Sequence, residues 1–113
     1  MIRITSKTEN YITLYKVEDH KWRINFDYTD LYTEDESGQK IPVIGLAEWT
    51  QHDYYTKPTN LKLYTDILSS INERYQTLID NAESEEEKAE IRQERDQKIS
   101  SIDWENDYNI DKI

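Results

Sequence analysis

Apolar positions follow two different periods along this chain, and the change falls near residue 58. Before that point they alternate. Trp22, Ile24, Phe26 and Tyr28 stand at every second position, the spacing that sends side chains to one face of a β-strand, here the inward one. Tyr11, Thr13, Tyr15 and Val17 alternate in the same way with Ile12, Leu14 and Lys16. The polar Glu18-Asp19-His20-Lys21 between the two runs predicts a turn, so the two segments read as an antiparallel hairpin. Residues 2 to 5 are rich in strand formers as well. The polar stretch Thr33 to Lys40 carries Gly38 and predicts a loop or a second hairpin turn. Ile41 to Gln51 then resumes apolar, with Pro42 pointing to an edge strand or an irregular entry and Gly45 to a bulge. A three- or four-stranded antiparallel sheet is expected from this half.

After Lys57-Pro58 the steps become three and four. Leu61, Tyr64, Leu68, Ile71, Tyr75, Leu78 and Ala82 make one apolar stripe, which predicts a helix from about residue 60 to about residue 82, capped by Thr59 or Asn60. Ile91, Arg95, Ile99 and Ile102 make a thinner stripe that breaks phase with the first, because Glu85 and Arg92 stand where apolar residues would continue it. Ser84-Glu85-Glu86-Glu87 has the form of a capping box opening a second helix, which extends to about Ser101. Acids crowd that N-terminus, where the helix dipole favours them. An antiparallel helical hairpin follows, with one bent helix as the alternative, since Asn81 to Ser84 contains neither glycine nor proline. The fold class expected is α+β: a small N-terminal antiparallel β-sheet over residues 1–57, a C-terminal helical hairpin over 58–104, and a tail over 105–113 that orders only against something else. The Leu61 to Ala82 stripe is long for so few short strands to cover, which predicts a homo-oligomer or a helical contact with another chain.

Charge and composition narrow the functions open to such a fold. The formal net charge is −10, so phosphate backbones and anionic lipids are repelled; neither nucleic acid nor a membrane is an expected partner. Hydrophobic residues make up 35% and charged residues 34%, an apolar share that leaves much of the length against solvent or a partner. There is no cysteine, hence no disulfide or thiolate metal site. No apolar run approaches a signal sequence or a membrane span, so the expected location is the cytosol, or a larger assembly built there.

Catalytic constellations are lacking. His20 falls in a polar turn, and His52 beside Asp53 has no nucleophile or oxyanion loop to serve, so both read as surface histidines. The Asp35-Ser37-Gly38 stretch fits part of a calcium-loop frame, but Thr33 and Ile44 stand where that frame needs acids. Asp27 and Asp30 read as strand-end acids, and Glu85 to Glu87 as a solvated helix start. Without a phosphate loop, a dinucleotide fingerprint or zinc spacing, no catalytic residue, metal ligand or cofactor is expected. Two aromatic groups remain: Trp49, Tyr54 and Tyr55 before the first helix, and Trp104 with Tyr108 after the second. Each either closes an end of the helix pair or forms a docking surface.

From Glu94 to Trp104 the chain reads Glu-Arg-Asp-Gln-Lys-Ile-Ser-Ser-Ile-Asp-Trp. This resembles the R-D-x-x-L-x-x-x-D-W signature near the C-terminus of tail-fibre assembly chaperones of tailed bacteriophages, with Arg95, Asp96, Ile99, Asp103 and Trp104 at its positions. Lys57-Pro58-Thr59 ahead of a helix carrying Ile71 to Arg74 is likewise similar to small accessory proteins of phage tail modules. The resemblance implies a non-enzymatic tail-associated protein, either a virion component or a tail or tail-fibre assembly factor, located in the host cytoplasm or the virion. Its partners would be other tail or fibre proteins, met through Trp49, Tyr54, Tyr55, Arg95, Asp96, Asp103, Trp104 and Tyr108. The acid-rich Glu83 to Asp107 run also admits a reading from another class, an acidic phage-encoded inhibitor that mimics nucleic acid and binds a basic host protein.

Overall fold

β1 (Ile2–Lys7), β2 (Leu14–Glu18), β3 (Lys21–Glu34) and β4 (Lys40–Tyr54) form one antiparallel sheet in the spatial order β1-β4-β3-β2. Three helices follow, α1 (Asn60–Asp80), α2 (Glu85–Ser100) and the short α3 (Trp104–Asp107). The fold is therefore α+β, a four-stranded sheet followed by a helical hairpin. This computed structural model describes all 113 residues, Met1–Ile113, which divide into two compact units: Met1–Lys57 with Ile113, and Pro58–Lys112.

In the sheet unit the expected hairpin forms around Asp19 and His20, with His20 in the left-handed region at φ 62°. Register places Leu14 beside Ile24, Ile24 beside His52 and Phe26 beside Thr50, so Leu14, Ile24 and Phe26 share one face and all three are buried. Tyr28 does not join them. Phe26 pairs with Thr50 and Thr29 with Glu48, which leaves Asp27 and Tyr28 together opposite Trp49. This is a β-bulge, and its extra residue, Asp27, adopts φ 59°. The bulge resets the alternation, so the Tyr28 ring lies parallel to that of Trp49 at 6.2 Å between centroids on the face opposite Phe26. The expectation that Trp22, Ile24, Phe26 and Tyr28 all point inward together is thus corrected at its last member.

Asn25 is the polar centre of that second face. It is buried, its Nδ2 donates to the Ile12 carbonyl at 2.7 Å, and its Oδ1 accepts from Trp49 Nε1 at 3.1 Å and Gln51 Nε2 at 3.0 Å. Its backbone N–H donates to the Thr13 carbonyl, and its own carbonyl accepts from the Tyr11 hydroxyl at 3.0 Å. Tyr11 closes the cluster edge-on to both Trp49 and Tyr28, at 5.0 Å from each.

β4 is central, not an edge strand as Pro42 suggested. The proline is tolerated because β1 pairs only with residues 46 to 51, so Pro42 has a neighbour on one side alone, opposite Tyr32. Between Ala47 and Pro42 the register shifts at the expected bulge, with Gly45 at φ 80°. Beyond it β3 and β4 continue as a two-stranded ribbon closed by Asp35, whose Oδ1 accepts from the Ser37 and Gln39 backbone N–H groups at 2.9 Å each.

In the helical unit the Thr59 hydroxyl caps α1 by accepting from Lys62 N at 3.1 Å. Ser84 does the same for α2 through Glu87 N, while the Glu87 carboxylate reaches back to Glu83 N at 3.0 Å. These contacts separate the helices, and α1 packs against α2 as a hairpin. The buried row on α1 shares only Ile71 and Tyr75 with the stripe expected from sequence. It is Leu63, Ile67, Ile71, Tyr75 and Ile79, a strict four-residue ridge, with the Tyr75 hydroxyl bonded to Glu94 Oε1 at 3.1 Å. A four-residue row slants across a helix of 3.6 residues per turn, so it crosses the wide apolar face of α1 diagonally and leaves corners of that face uncovered. Leu61, Tyr64 and Leu78 occupy those corners and are exposed. α2 buries no residue completely, in keeping with its thin stripe; Ile91, Arg95, Ile99 and Ile102 are half-buried.

Candidate functional site

The stretch after α2, expected to be a tail, is folded. Asp103 caps α3, its Oδ1 accepting from Asn106 N at 3.1 Å and its Oδ2 from Asn106 Nδ2 at 2.7 Å. These two bonds, helped by the Lys112 charge, hold its carboxyl below the usual carboxylate range. Residues 110 to 112 then form a 3-10 turn that docks on the first turn of α1. Asn60 makes the connection: its Oδ1 accepts from Ile110 N at 2.7 Å, and its Nδ2 donates to Asn109 Oδ1 at 3.2 Å and Asp111 Oδ2 at 3.4 Å. Tyr108 and Ile110 are buried there. The sequence offered no periodicity to signal this, because the segment is held by one amide side chain and two apolar anchors instead of a stripe.

Closing that end builds a groove. The Trp104 ring lies 4.7 Å from the Tyr64 ring and 5.8 Å from that of Tyr108, tilted by 58° and 53°. With Leu61, Glu105, Asn60 and Asn109 these rings line an open hollow of about 430 Å³. Trp104 is half-buried, whereas Leu61 is 74% and Tyr64 46% exposed, so apolar surface stands open to solvent at one place. Such a patch, rimmed by polar groups, marks a surface suited to protein contact.

The other residues expected at the site lie elsewhere. Trp49 is 2% exposed, with its indole N–H bonded to Asn25, which makes it a core residue of the sheet unit. Tyr54 is buried on the opposite face of β4, edge-on to His52 at 4.6 Å. Tyr55 is exposed beneath Lys21 Nζ, 5.9 Å from its ring centre. Strand alternation separates Trp49 from Tyr54, and Tyr55 lies past the end of β4, so the first expected aromatic group is not a patch. Arg95 and Asp96 pair with each other on α2, Arg95 Nε to Asp96 Oδ1 at 3.1 Å. Of the expected residues, Trp104 and Tyr108 line the groove and Asp103 shapes it.

Comparison with protein families, curated proteins and solved structures gives no match to this chain. The site therefore rests on its own geometry. Asn60, Leu61, Tyr64, Glu105 and Asn109 were not singled out for it from sequence. Leu61 and Tyr64 belong to the stripe expected to lie against the sheet or another chain.

The remaining polar clusters are structural. His52 and Asp53 face opposite ways, and Asp53 takes a bidentate bond from Arg23, Nε to Oδ1 at 2.7 Å and Nη2 to Oδ2 at 3.0 Å, with Lys21 Nζ at 3.7 Å. The Arg23 bond, then the neighbouring positive charges, hold the Asp53 carboxyl below the usual range. A depressed folded-state pKa gives stability that is present above the unfolded carboxylate value, about 4, and is lost as pH falls through the folded one. Asp53→Asn should therefore melt below wild type at neutral pH and lose less on acidification; an equal decline for both proteins from about pH 6 to about pH 3 would exclude the pair as a contributor. No three histidine, aspartate or glutamate side chains come together as a metal-binding set, and no helix is long and apolar enough to cross a membrane.

Proposed function

We propose that this chain is a non-enzymatic, tail-associated protein of tailed bacteriophages, a virion component or an assembly factor, that docks on other tail or fibre proteins through the groove of Leu61, Tyr64 and Trp104. The observation that carries the docking role is the tryptophan itself. It comes at the end of the signature-like stretch, yet it is only half-buried and sits between two tyrosine rings at the open groove. Tryptophan and tyrosine at such positions concentrate binding energy out of proportion to their number. The tail assignment rests on the resemblance of Arg95 to Trp104 and on the accessory-protein features before it.

The acidic-mimic reading has less support. Bases punctuate the acids of α2 at Lys88, Arg92, Arg95 and Lys98, and Lys88 lies 3.5 Å from Glu85. A phosphate mimic needs a field of one sign.

Trp104→Ala tests the docking role. Removing a half-buried ring should lower stability by about 1–2 kcal/mol, less than the ~3–5 kcal/mol for a fully buried one, while capture of particle proteins in a pull-down is lost. Normal capture by the folded variant would reject the groove as the docking site. Mass spectrometry of purified particles separates the two branches: presence in mature virions rejects a chaperone-only role, and absence rejects a structural one.

A further inference from the structure

We infer that the groove's occupant is a basic segment of the partner, which lays an arginine or lysine side chain against the Trp104 and Tyr64 rings beside Glu105. The inference rests on the docking reading above and adds the chemistry of what docks. Three observations carry it.

The first is the wall material. Aromatic faces present negative quadrupole charge and attract a cation within about 6 Å of the ring centre. Trp104, Tyr64 and Tyr108 supply three such rings at mutual tilts between parallel and perpendicular, so a long side chain entering the groove meets more than one of them.

The second is the charge of the segment that carries Trp104 and Tyr108. From Asp103 to Lys112 the chain carries Asp103, Glu105, Asp107 and Asp111 against Lys112 alone. Lys112 Nζ is directed to Asn106 Oδ1 at 2.8 Å, and Lys62, on the neighbouring turn of α1, is directed to Asp66 Oδ1 at 3.2 Å. No lysine or arginine lines the groove. An acidic segment beside low-dielectric walls gives a negative potential, which draws in basic groups and turns acidic ones away.

The third is Glu105. Asp103 is engaged by Asn106 and Asp111 by Asn60, whereas Glu105 is exposed, lines the groove and forms no ion pair within the chain. A guanidinium over the Trp104 ring would find in it a planar acceptor matched to its fork of donors. An uncharged apolar anchor would use the rings but gain nothing from that carboxylate.

The test uses the full chain, labelled with nitrogen-15, and follows the indole N–H signal of Trp104, assigned by its disappearance in Trp104→Phe. Three blocked pentapeptides serve as probes: Gly-Ser-Arg-Ser-Gly, and the same peptide with leucine or glutamate at the centre. The arginine peptide should move the signal in a saturable way. Glu105→Gln, an exposed change that keeps the fold, should weaken that binding about two- to fivefold, as an exposed ion pair implies, and added salt should weaken wild type more than the variant. The leucine and glutamate peptides should leave the signal in place.

An equal or larger response to leucine, no response to arginine, or no effect of Glu105→Gln would each overturn the inference. So would a concentration-dependent movement of the signal without peptide, which would make a second copy of the chain the occupant. The docking reading fails separately. If Trp104→Ala abolishes capture of particle proteins while the arginine peptide is silent, docking stands and the basic occupant falls; if capture survives the substitution, docking itself is rejected.

Discussion

Replacing Arg3 with methionine is expected to cost the sheet unit about 3–5 kcal/mol, the range for removing one partner of a buried charge pair. The Arg3 guanidinium is the anchor of the β-bulge. Its Nη1 lies 3.4 Å from Asp27 Oδ2 and donates to the Asp27 carbonyl and to Thr50 Oγ1, its Nη2 donates to Thr29 Oγ1 at 2.9 Å, and its Nε donates to Glu48 Oε1 at 3.3 Å. The Asp27 side chain is 1% exposed against 22% for Arg3, so the substitution takes the guanidinium away from a carboxylate held out of water. Methionine replaces much of the stem but none of the five donors. Adding Asp27→Asn to the variant should recover part of the loss, because a neutral amide is less costly to bury than a carboxylate that has lost its guanidinium. Urea unfolding of the three proteins checks this. A loss below about 1 kcal/mol for Arg3→Met would show that the pair is dispensable.

Asn25→Leu is expected to be as damaging although it conserves shape. The leucine would leave the Trp49 indole N–H and the Ile12 carbonyl without the partners they have in the native sheet, and Gln51 Nε2 would lose its acceptor. Each buried group left unsatisfied costs about 1–3 kcal/mol, so a total of about 3–5 kcal/mol is expected. The near-ultraviolet circular dichroism of the Tyr11, Tyr28 and Trp49 cluster should weaken in parallel, since the amide fixes the indole against those rings. A variant that unfolds at the wild-type urea midpoint would show that packing alone holds the cluster.

Both residues show where sequence reading reaches and where it stops. Period and punctuation were legible: the alternation from Trp22, the polar turn before it, the Ser84 capping box and the change of period after Pro58 each report local backbone physics, and each corresponds to an element of the fold. Asp27 was not legible as a bulge. No glycine marks the left-handed position, and the residue that stabilises it lies in another strand, 24 positions away. Asn25 falls on the outward side of an alternating run and reads as solvent-facing, yet the segment leading into β2 covers that face with Tyr11, Ile12 and Thr13. The α1 stripe is met only at Ile71 and Tyr75, for another reason. Its apolar face is wide enough to hold more than one row, and only the packed structure selects Leu63, Ile67, Ile71, Tyr75 and Ile79. The groove is the product of that selection, since the unselected Leu61 and Tyr64 are what meets Trp104.

The bond from Ile110 N to Asn60 Oδ1 spans 50 positions and sets an order on biosynthesis. Every strand of the sheet unit has been made once Tyr54 is added, so that unit has all its pairing partners while the helices are still being translated. The first turn of α1, by contrast, emerges with its Thr59 cap but without Tyr108, Ile110 and the Asn60 partners, and it waits for more than forty further residues before they arrive. During that wait Leu61 and Tyr64 have no tryptophan beside them. The groove is therefore the last part of the helical unit to be completed, and a ribosome-bound nascent chain halted before Trp104 would carry every strand of the sheet and no groove at all.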